Sequence, residues 1–174
     1  MRCLLMTMQR LIKETVDKIY DTFELPKDTP IDLDELLNIL DIQLQENPEL
    51  IYEGKIEKDY NNNTIITIKY HHNEGRRRFT IAHELGHYFL HFSDEDKEFK
   101  DSVFYRSLEY NNEEIEANEF AANLLMPEYE YVSFVQNKAY DKDKRSYDAE
   151  LIAEHFKVSK QAAIYRGRKL NVFK

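Results

Sequence analysis

Apolar residues recur every three to four positions over much of the chain, which is the spacing of amphipathic helices. The first such segment, residues 9–23, predicts a helix that packs on a core through its apolar side. A second predicted helix follows Pro30, where Asp32 and Glu35 form a capping pair ahead of four leucines. We interpret both helices as scaffold.

Between residues 42 and 70 the pattern changes to alternation, which is typical of strands. Residues 42–45 alternate, residues 52–60 are a weaker candidate, and residues 64–70 are a clear strand preceded by a turn at 61–63. These segments predict a small antiparallel sheet just ahead of the next helix. The sheet could hold an extended peptide along its edge or only cover that helix, and the pattern does not choose.

Helical spacing returns after the sheet. The predicted helices are residues 79–91, 113–127, 129–135, 148–156 and 160–170. Pro127 should end the second of these near Met126, and Ser159 should cap the last. The polar segments 93–110, with a short apolar stretch at 103–105, and 138–145 predict a linker and an exposed connection.

Length, charge and cysteine content narrow the classes of protein. A chain of 174 residues suits one domain with a real core. The formal charge of -9, from 24 Lys+Arg and 33 Asp+Glu, argues against nucleic-acid binding by bulk charge. Cys3 is the only cysteine, which excludes an internal disulfide and a thiolate zinc cluster. No apolar run approaches the roughly 20 residues of a membrane span, so we predict a soluble cytoplasmic protein.

The helix at residues 79–91 carries the candidate chemistry. His83 and His87 lie one turn apart on one face, where two imidazoles can bind the same metal ion. Zinc bound in this way keeps a position open for water, and Glu84 lies beside it as a candidate general base. The alternative is a core helix with incidental histidines, but a helix this apolar would bury three polar groups that a metal would satisfy. Gly86 should leave room for metal or substrate.

A catalytic zinc usually has three protein ligands. His91 cannot be the third, because it stands about 12 Å along the helix axis from His83. A known extension, with glycine three and histidine six residues after His87, is absent because Leu90 and Ser93 occupy those positions. A glutamate on a later helix is the usual alternative.

Helical geometry separates the carboxylates of residues 113–127. At about 100° per residue, Glu114 shares the buried face with the alanines of this helix, whereas Glu116 and Glu119 fall on the opposite side. We therefore expect Glu116 and Glu119 to be solvated. Asn118 follows Glu114 by one turn and could hydrogen-bond the far nitrogen of a ligand histidine.

Two basic segments beside the sheet are not expected to bind metal. His71 and His72 follow the clear strand, and residues 76–78 are three arginines just ahead of the metal helix. Positive charge at a helix N-terminus is mildly unfavourable. We interpret the arginine run as a solvated turn, with a role in binding as the alternative.

The two motif segments together resemble one known family. RFTIAHELGHYFLH followed by EIEANEFAANLLMP is similar to the ImmA/IrrE family of zinc metallo-endopeptidases, and the resemblance extends from residue 32 to the C-terminus. It implies Zn²⁺ on His83, His87 and Glu114, with Glu84 as the catalytic base. It also implies a bacterial or phage protein that cleaves a helix-turn-helix transcriptional repressor, often one encoded next to it.

The fold expected from pattern and resemblance is α+β, a mostly helical gluzincin-like zincin. Its small antiparallel sheet packs on the HExxH helix, and a helix-turn-helix-like pair closes the chain. We expect a single metallopeptidase domain over residues 1–174. Within it, residues 1–31 form an N-terminal helix, 32–147 the sheet and zinc-site core, and 148–174 the C-terminal pair.

The C-terminal pair allows a rival function. From residue 157 onward there are six basic residues and no acid: Lys157, Lys160, Arg166, Arg168, Lys169 and Lys174. A DNA-binding regulator with a non-catalytic zinc site is therefore an alternative, as is a partner-binding module. Packing is the favoured role, because such helix pairs commonly pack. An oxyanion-stabilising group could be Tyr88, Tyr105, Tyr110 or a late arginine, and the sequence does not choose.

Overall fold

A computed structural model describes residues 2–27, 30–91, 112–141 and 146–173 of the chain. In these ranges the fold is mostly helical α+β. The helices are α1 Arg2–Thr22, α2 Leu33–Ile39, α3 Glu74–His91, α4 Asn112–Leu125, α5 Glu128–Phe134, α6 Ala149–Phe156 and α7 Lys160–Lys169. The strands are β1 Ile42–Glu46, β2 Gly54–Lys58, β3 Thr64–Ile68, β4 Tyr140–Asp141 and β5 Ser146–Tyr147. The predicted linker at 93–110 lies outside the described residues.

Helix α1 begins at Arg2, earlier than the predicted residue 9. Its buried stripe includes Val16, Ile19 and Tyr20. The Tyr20 hydroxyl donates a hydrogen bond to the carbonyl oxygen of Leu124 at 2.8 Å, which ties α1 to α4. None of the helices within the described ranges is both long and apolar enough to cross a bilayer.

The sheet is mixed, so the prediction of an antiparallel sheet is wrong in one pairing. Its strand order is β1-β3-β2, with β1 parallel and β2 antiparallel to β3. The turn between β2 and β3 is a hairpin held by Asp59, whose carboxylate accepts from the backbone N–H groups of Asn61 and Asn63. After β1, in contrast, the chain crosses to the far edge before it pairs. Alternating residues identify strands but not the path between them.

Capping explains where α2 and α3 begin. The Asp32 carboxylate accepts from the backbone N–H of Glu35 at 3.0 Å, which confirms the predicted cap. Helix α3 begins at Glu74 rather than at residue 79, because the Asn73 side chain accepts from the backbone N–H of Arg76 at 2.9 Å. The arginine run therefore lies within the helix.

The interpretation of residues 76–78 as a solvated turn is wrong. Arg78 is buried and donates to the carbonyl oxygen of Ile31 at 2.9 Å. Arg77 lies 2.8 Å from Glu46 at the end of β1, and Arg76 binds a glutamate just before β2. The three side chains attach the start of α3 to the sheet and to the segment before α2.

Helices α3 and α4 approach each other closely at Gly86. A Cβ on Gly86 would lie 2.9 Å from the Cα of Ala117 and 3.2 Å from the Cβ of Phe120. The bare side of Gly86 thus accommodates α4, and not metal or substrate as predicted. Ala117 is thus the residue of α4 that faces α3. One flank of α4 reaches the middle of α3, and the other flank reaches the end of α3.

The end of the chain follows the sequence prediction. The side chains of Asp148 and Ser159 cap α6 and α7, and Lys157 between the helices has a left-handed φ of 51°. The connection expected at 138–145 instead contains the end of a π-helical turn and the short β4–β5 pairing of Tyr140 with Tyr147. Strands of two residues have too little periodicity to be recognised.

Candidate metal centre

Three side chains from α3 and α4 converge on one point. His83 Nε2 lies 3.3 Å from Glu114 Oε2, His87 Nε2 lies 3.3 Å from Glu114 Oε1, and the two Nε2 atoms are 3.1 Å apart. Among the described residues these three form a group whose ligand atoms all lie within 4.8 Å of one another. His71 and His72 do not belong to it, as expected.

These separations fit a zinc ion. Tetrahedral zinc with bonds of about 2.0–2.1 Å to nitrogen and oxygen holds its ligand atoms about 3.3 Å apart. The Nε2–Nε2 separation of 3.1 Å and the Nε2–oxygen separations of 3.3 Å, one to each oxygen of Glu114, are close to that edge length. Two imidazoles and a carboxylate are also donors that zinc prefers.

The hydrogen-bonding partner of His83 determines which of its two ring nitrogens can bind a metal ion. His83 Nδ1 lies 3.1 Å from Asn118 Oδ1, the contact expected from the sequence. Because a carbonyl oxygen only accepts, the hydrogen of neutral His83 is on Nδ1. Its Nε2 therefore directs a lone pair toward Glu114 and His87, which is the arrangement that a metal ion requires.

Glu114 is held in its ionised form. An Nε2–H of His83, and next one of His87, donated to the carboxylate lowers the pKa of Glu114 far below its ordinary range, although burial opposes this shift, and a metal ion would take the place of these hydrogens. Its side chain is 24% exposed. A carboxylate that stays ionised at neutral pH is the form that binds a cation.

Glu84 is buried beside this group. It follows His83 in α3 and is 1% exposed. Strand β2 passes close to it, since a Cβ on Gly54 would lie 2.6 Å from Glu84 Oε1 and 2.8 Å from the methyl group of Thr80. Glycine at the start of β2 therefore lets the sheet edge approach the candidate base.

Two carboxylates predicted to be solvated are instead partly buried and paired with another side chain. Glu116 Oε2 lies 3.1 Å from His91 Nε2, and the Glu116 side chain is 20% exposed. Glu119 is 11% exposed and pairs with Lys169 of α7. The prediction took Glu114 as the centre of the buried face, whereas Ala117 is the residue that meets Gly86 of α3, so the flank with Glu116 is covered too. Glu119 lies on the side away from α3 and is covered by α7 through Lys169. His91 itself is hydrogen-bonded, as expected for a histidine that cannot share the metal.

Comparison with known proteins identifies the family. The family model described as the IrrE N-terminal-like domain, a peptidase domain, matches residues 37–167. The chain belongs to the ImmA/IrrE peptidase family. It is 30% identical over 133 residues to an uncharacterized immunity region protein 2 of Bacillus phage phi105, covering 76% of this chain and 78% of that one.

The resemblance found in the two motif segments is thereby confirmed. Among solved structures, a Mycobacterium tuberculosis transcriptional regulator matches with a TM-score of 0.47 and 18% identity, over 89% of this chain and 51% of that one. The present chain thus spans about half the length of that regulator.

The basic residues of the C-terminal pair are largely engaged within this ImmA/IrrE chain. Arg166 is 2% exposed and donates to the carbonyl oxygen of Met126 at 3.0 Å and to Asn123 Oδ1 at 2.9 Å. Lys169 pairs with Glu119, and Lys160 lies 2.6 Å from a glutamate of α6. Lys157 lies 3.6 Å from the first residue of α3. Arg168 is exposed, and Lys174 lies outside the described residues.

Of the candidate oxyanion groups, the structure describes Tyr88 and the late arginines Arg166 and Arg168. Tyr105 and Tyr110 lie outside the described residues. Arg166 is committed to the carbonyl and amide oxygens that it binds. Tyr88 is half-buried against the core with its ring edge to face with Phe89.

Proposed function

We propose that the protein is a zinc-dependent endopeptidase. The observation that carries this proposal is the convergence of His83, His87 and Glu114 beside the buried Glu84. Zinc bound to these three side chains would polarise the scissile carbonyl and lower the pKa of a water molecule. Membership of a peptidase family supports the assignment.

Glu84 would move the protons of the reaction. Its carboxylate can take a proton from the attacking water and deliver it to the leaving amide nitrogen. Burial beside His83 holds the carboxylate in one position and limits competing solvent. Glu84 is therefore assigned as the general base and then the general acid.

Strand β2 offers a way to hold the peptide. The order β1-β3-β2 leaves β2 at an edge of the three-stranded sheet. An extended peptide can add to such an edge through backbone hydrogen bonds. Since Gly54 of β2 lies against Glu84, a peptide paired there would pass the catalytic carboxylate.

The proposed substrate is a helix-turn-helix transcriptional repressor encoded near the protease. The family resemblance implies such a substrate, and the phage relative is named as an immunity region protein. The rival role, DNA binding by α6 and α7, is less well supported. Arg166 is buried, and Lys157, Lys160 and Lys169 each pair with a carboxylate of the chain, so few of these cations are available to phosphates.

Glu84→Gln separates the protease from the regulator. The amide is nearly isosteric but cannot accept a proton, so cleavage of a co-expressed neighbouring repressor should slow by about 10² to 10⁴. Zinc content should not change, because the three ligands remain. Glu113→Gln, an exposed glutamate of α4, is the matched control and should cleave like wild type.

The readout is electrophoresis of the repressor over time, with zinc measured on the same samples. If the Glu84→Gln protein still cleaves the repressor at the wild-type rate, Glu84 is not the base. If the Glu84→Gln protein still removes the repressor, and a variant with Arg168 neutralised does not, the DNA-binding hypothesis replaces the protease hypothesis.

A further inference from the structure

His87 is the start of a hydrogen-bonded chain that leads away from the metal centre. Its Nδ1 lies 3.0 Å from Nδ1 of His91, one helical turn further along α3. Nε2 of His91 lies 3.1 Å from Glu116 Oε2 on α4. The side chains of His91 and Glu116 are 16% and 20% exposed, so water competes only weakly for these contacts.

If His87 is a metal ligand, the hydrogens of this hydrogen-bonded chain can be placed in one order only. For Nε2 of His87 to present a lone pair, its hydrogen must be on Nδ1 and be donated to His91. His91 must then accept at Nδ1 and carry its own hydrogen on Nε2. That hydrogen is donated to the Glu116 carboxylate, which only accepts. Each donor meets an acceptor, and the chain ends on a negative charge.

We propose that His91 and Glu116 are positioning residues that hold His87 in the tautomer and ring orientation needed for metal binding. This inference rests on the metal site of the proposed function. Ligand histidines commonly donate their second ring N–H to a carboxylate or carbonyl oxygen, and loss of such a partner typically costs about 10- to 100-fold in metal affinity. Here a second histidine transmits the effect of the carboxylate.

The two ligand histidines are oriented by different groups of α4. His83 donates directly to the Asn118 oxygen, on the flank of α4 that also carries Glu114. His87 uses His91 to reach Glu116 on the opposite flank. One helix therefore supplies a proposed metal ligand and, directly or through His91, the hydrogen-bonding partner of both histidines.

Zinc affinity of the folded protein tests the proposal. Glu116→Leu removes the acceptor and should weaken zinc binding about 10- to 100-fold in competition with a chromophoric chelator. Glu116→Gln keeps an oxygen that can accept from His91 and should restore most of the affinity. Glu113 is an exposed glutamate on the same helix, and Glu113→Leu therefore controls for the loss of one negative charge. An affinity for Glu116→Leu equal to that of Glu113→Leu would overturn the proposal.

A second measurement does not depend on zinc. In the metal-free protein, long-range ¹H–¹⁵N correlations should place the hydrogen of His87 on Nδ1 and that of His91 on Nε2. In Glu116→Leu the His91 signals should change to a mixture of tautomers. Wild-type His87 without a hydrogen on Nδ1 would refute the positioning role. A wild type with these tautomers that fails to bind zinc would refute the proposed function and leave the hydrogen-bonded chain in place.

Discussion

Two helix pairs of this molecule bury polar side chains in opposite ways. Where α7 packs on α4, the Arg166 guanidinium donates to Asn123 and to the carbonyl oxygen of Met126. Where α3 packs on α4, the Nε2 atoms of His83 and His87 and the Glu114 carboxylate converge, at separations of 3.1 and 3.3 Å. The first set pairs donors with acceptors, whereas the second brings acceptors together when both imidazoles are neutral and carry their hydrogens on Nδ1.

The difference distinguishes a scaffold from a site. A buried set of donors and acceptors that is complete contributes stability and needs no ligand. A set of converging acceptors is unfavourable until a cation joins it. Both regions contain basic and acidic residues in helices, so composition alone does not separate them. What separates the two regions is whether the buried donors and acceptors are already paired with each other within the protein.

Breaking the α7–α4 contact should have the largest effect on stability. Arg166→Ala leaves the carbonyl oxygen of Met126 and the side-chain oxygen of Asn123 buried without their donor, which should lower the free energy of unfolding by about 3 kcal/mol. The exposed Arg168→Ala is the control and should change it by less than about 0.5 kcal/mol. Urea denaturation measures both. Equal stability of the two variants would contradict the scaffold role of Arg166.

Separating α3 from α4 should have an intermediate effect. In Gly86→Ala the new Cβ would lie 2.9 Å from the Cα and 3.0 Å from the carbonyl oxygen of Ala117. Because both are backbone atoms, α4 must shift, and the free energy of unfolding should fall by about 1 to 3 kcal/mol although alanine favours helix formation. Zinc affinity should fall too, since Glu114 moves with α4. Unchanged thermal unfolding and zinc titration would contradict this packing.

Crowding Glu84 should have the smallest effect on stability. In Gly54→Ala the new Cβ meets side-chain atoms of Glu84 and Thr80, which can rotate, so the cost should be about 1 kcal/mol. Cleavage should still slow by about 10-fold or more, because a misplaced base reacts poorly. Zinc content should stay at the wild-type value. A repressor cleavage assay showing wild-type rates would mean that β2 does not position Glu84.

Local sequence signals predicted most elements and much of the candidate site. The caps at Asp32 and Ser159 and the end of α4 before Pro127 depend on neighbouring residues, and the structure confirms them. The convergence of Glu114 and Asn118 on the histidines follows from their spacing on a helix.

What the sequence did not reveal depends on how elements meet. The parallel pairing of β1 with β3 depends on a crossover that leaves no periodic signal. Glu116 is partly buried because Ala117, and not Glu114, is the residue of α4 that faces α3. Arg78 was predicted to lie in a solvated turn, and the role of Arg166 was left open between DNA binding and packing. Each instead donates a hydrogen bond to a carbonyl oxygen of a distant segment.

Zinc content per chain tests the central claim most directly. Protein purified without added metal should contain about one zinc per chain, measured by plasma mass spectrometry against the protein concentration. Glu84→Gln should match it, Glu114→Ala should contain less, and the double variant His83→Ala with His87→Ala should contain essentially none. A double variant that is folded and retains full zinc would show that the metal centre does not lie between α3 and α4.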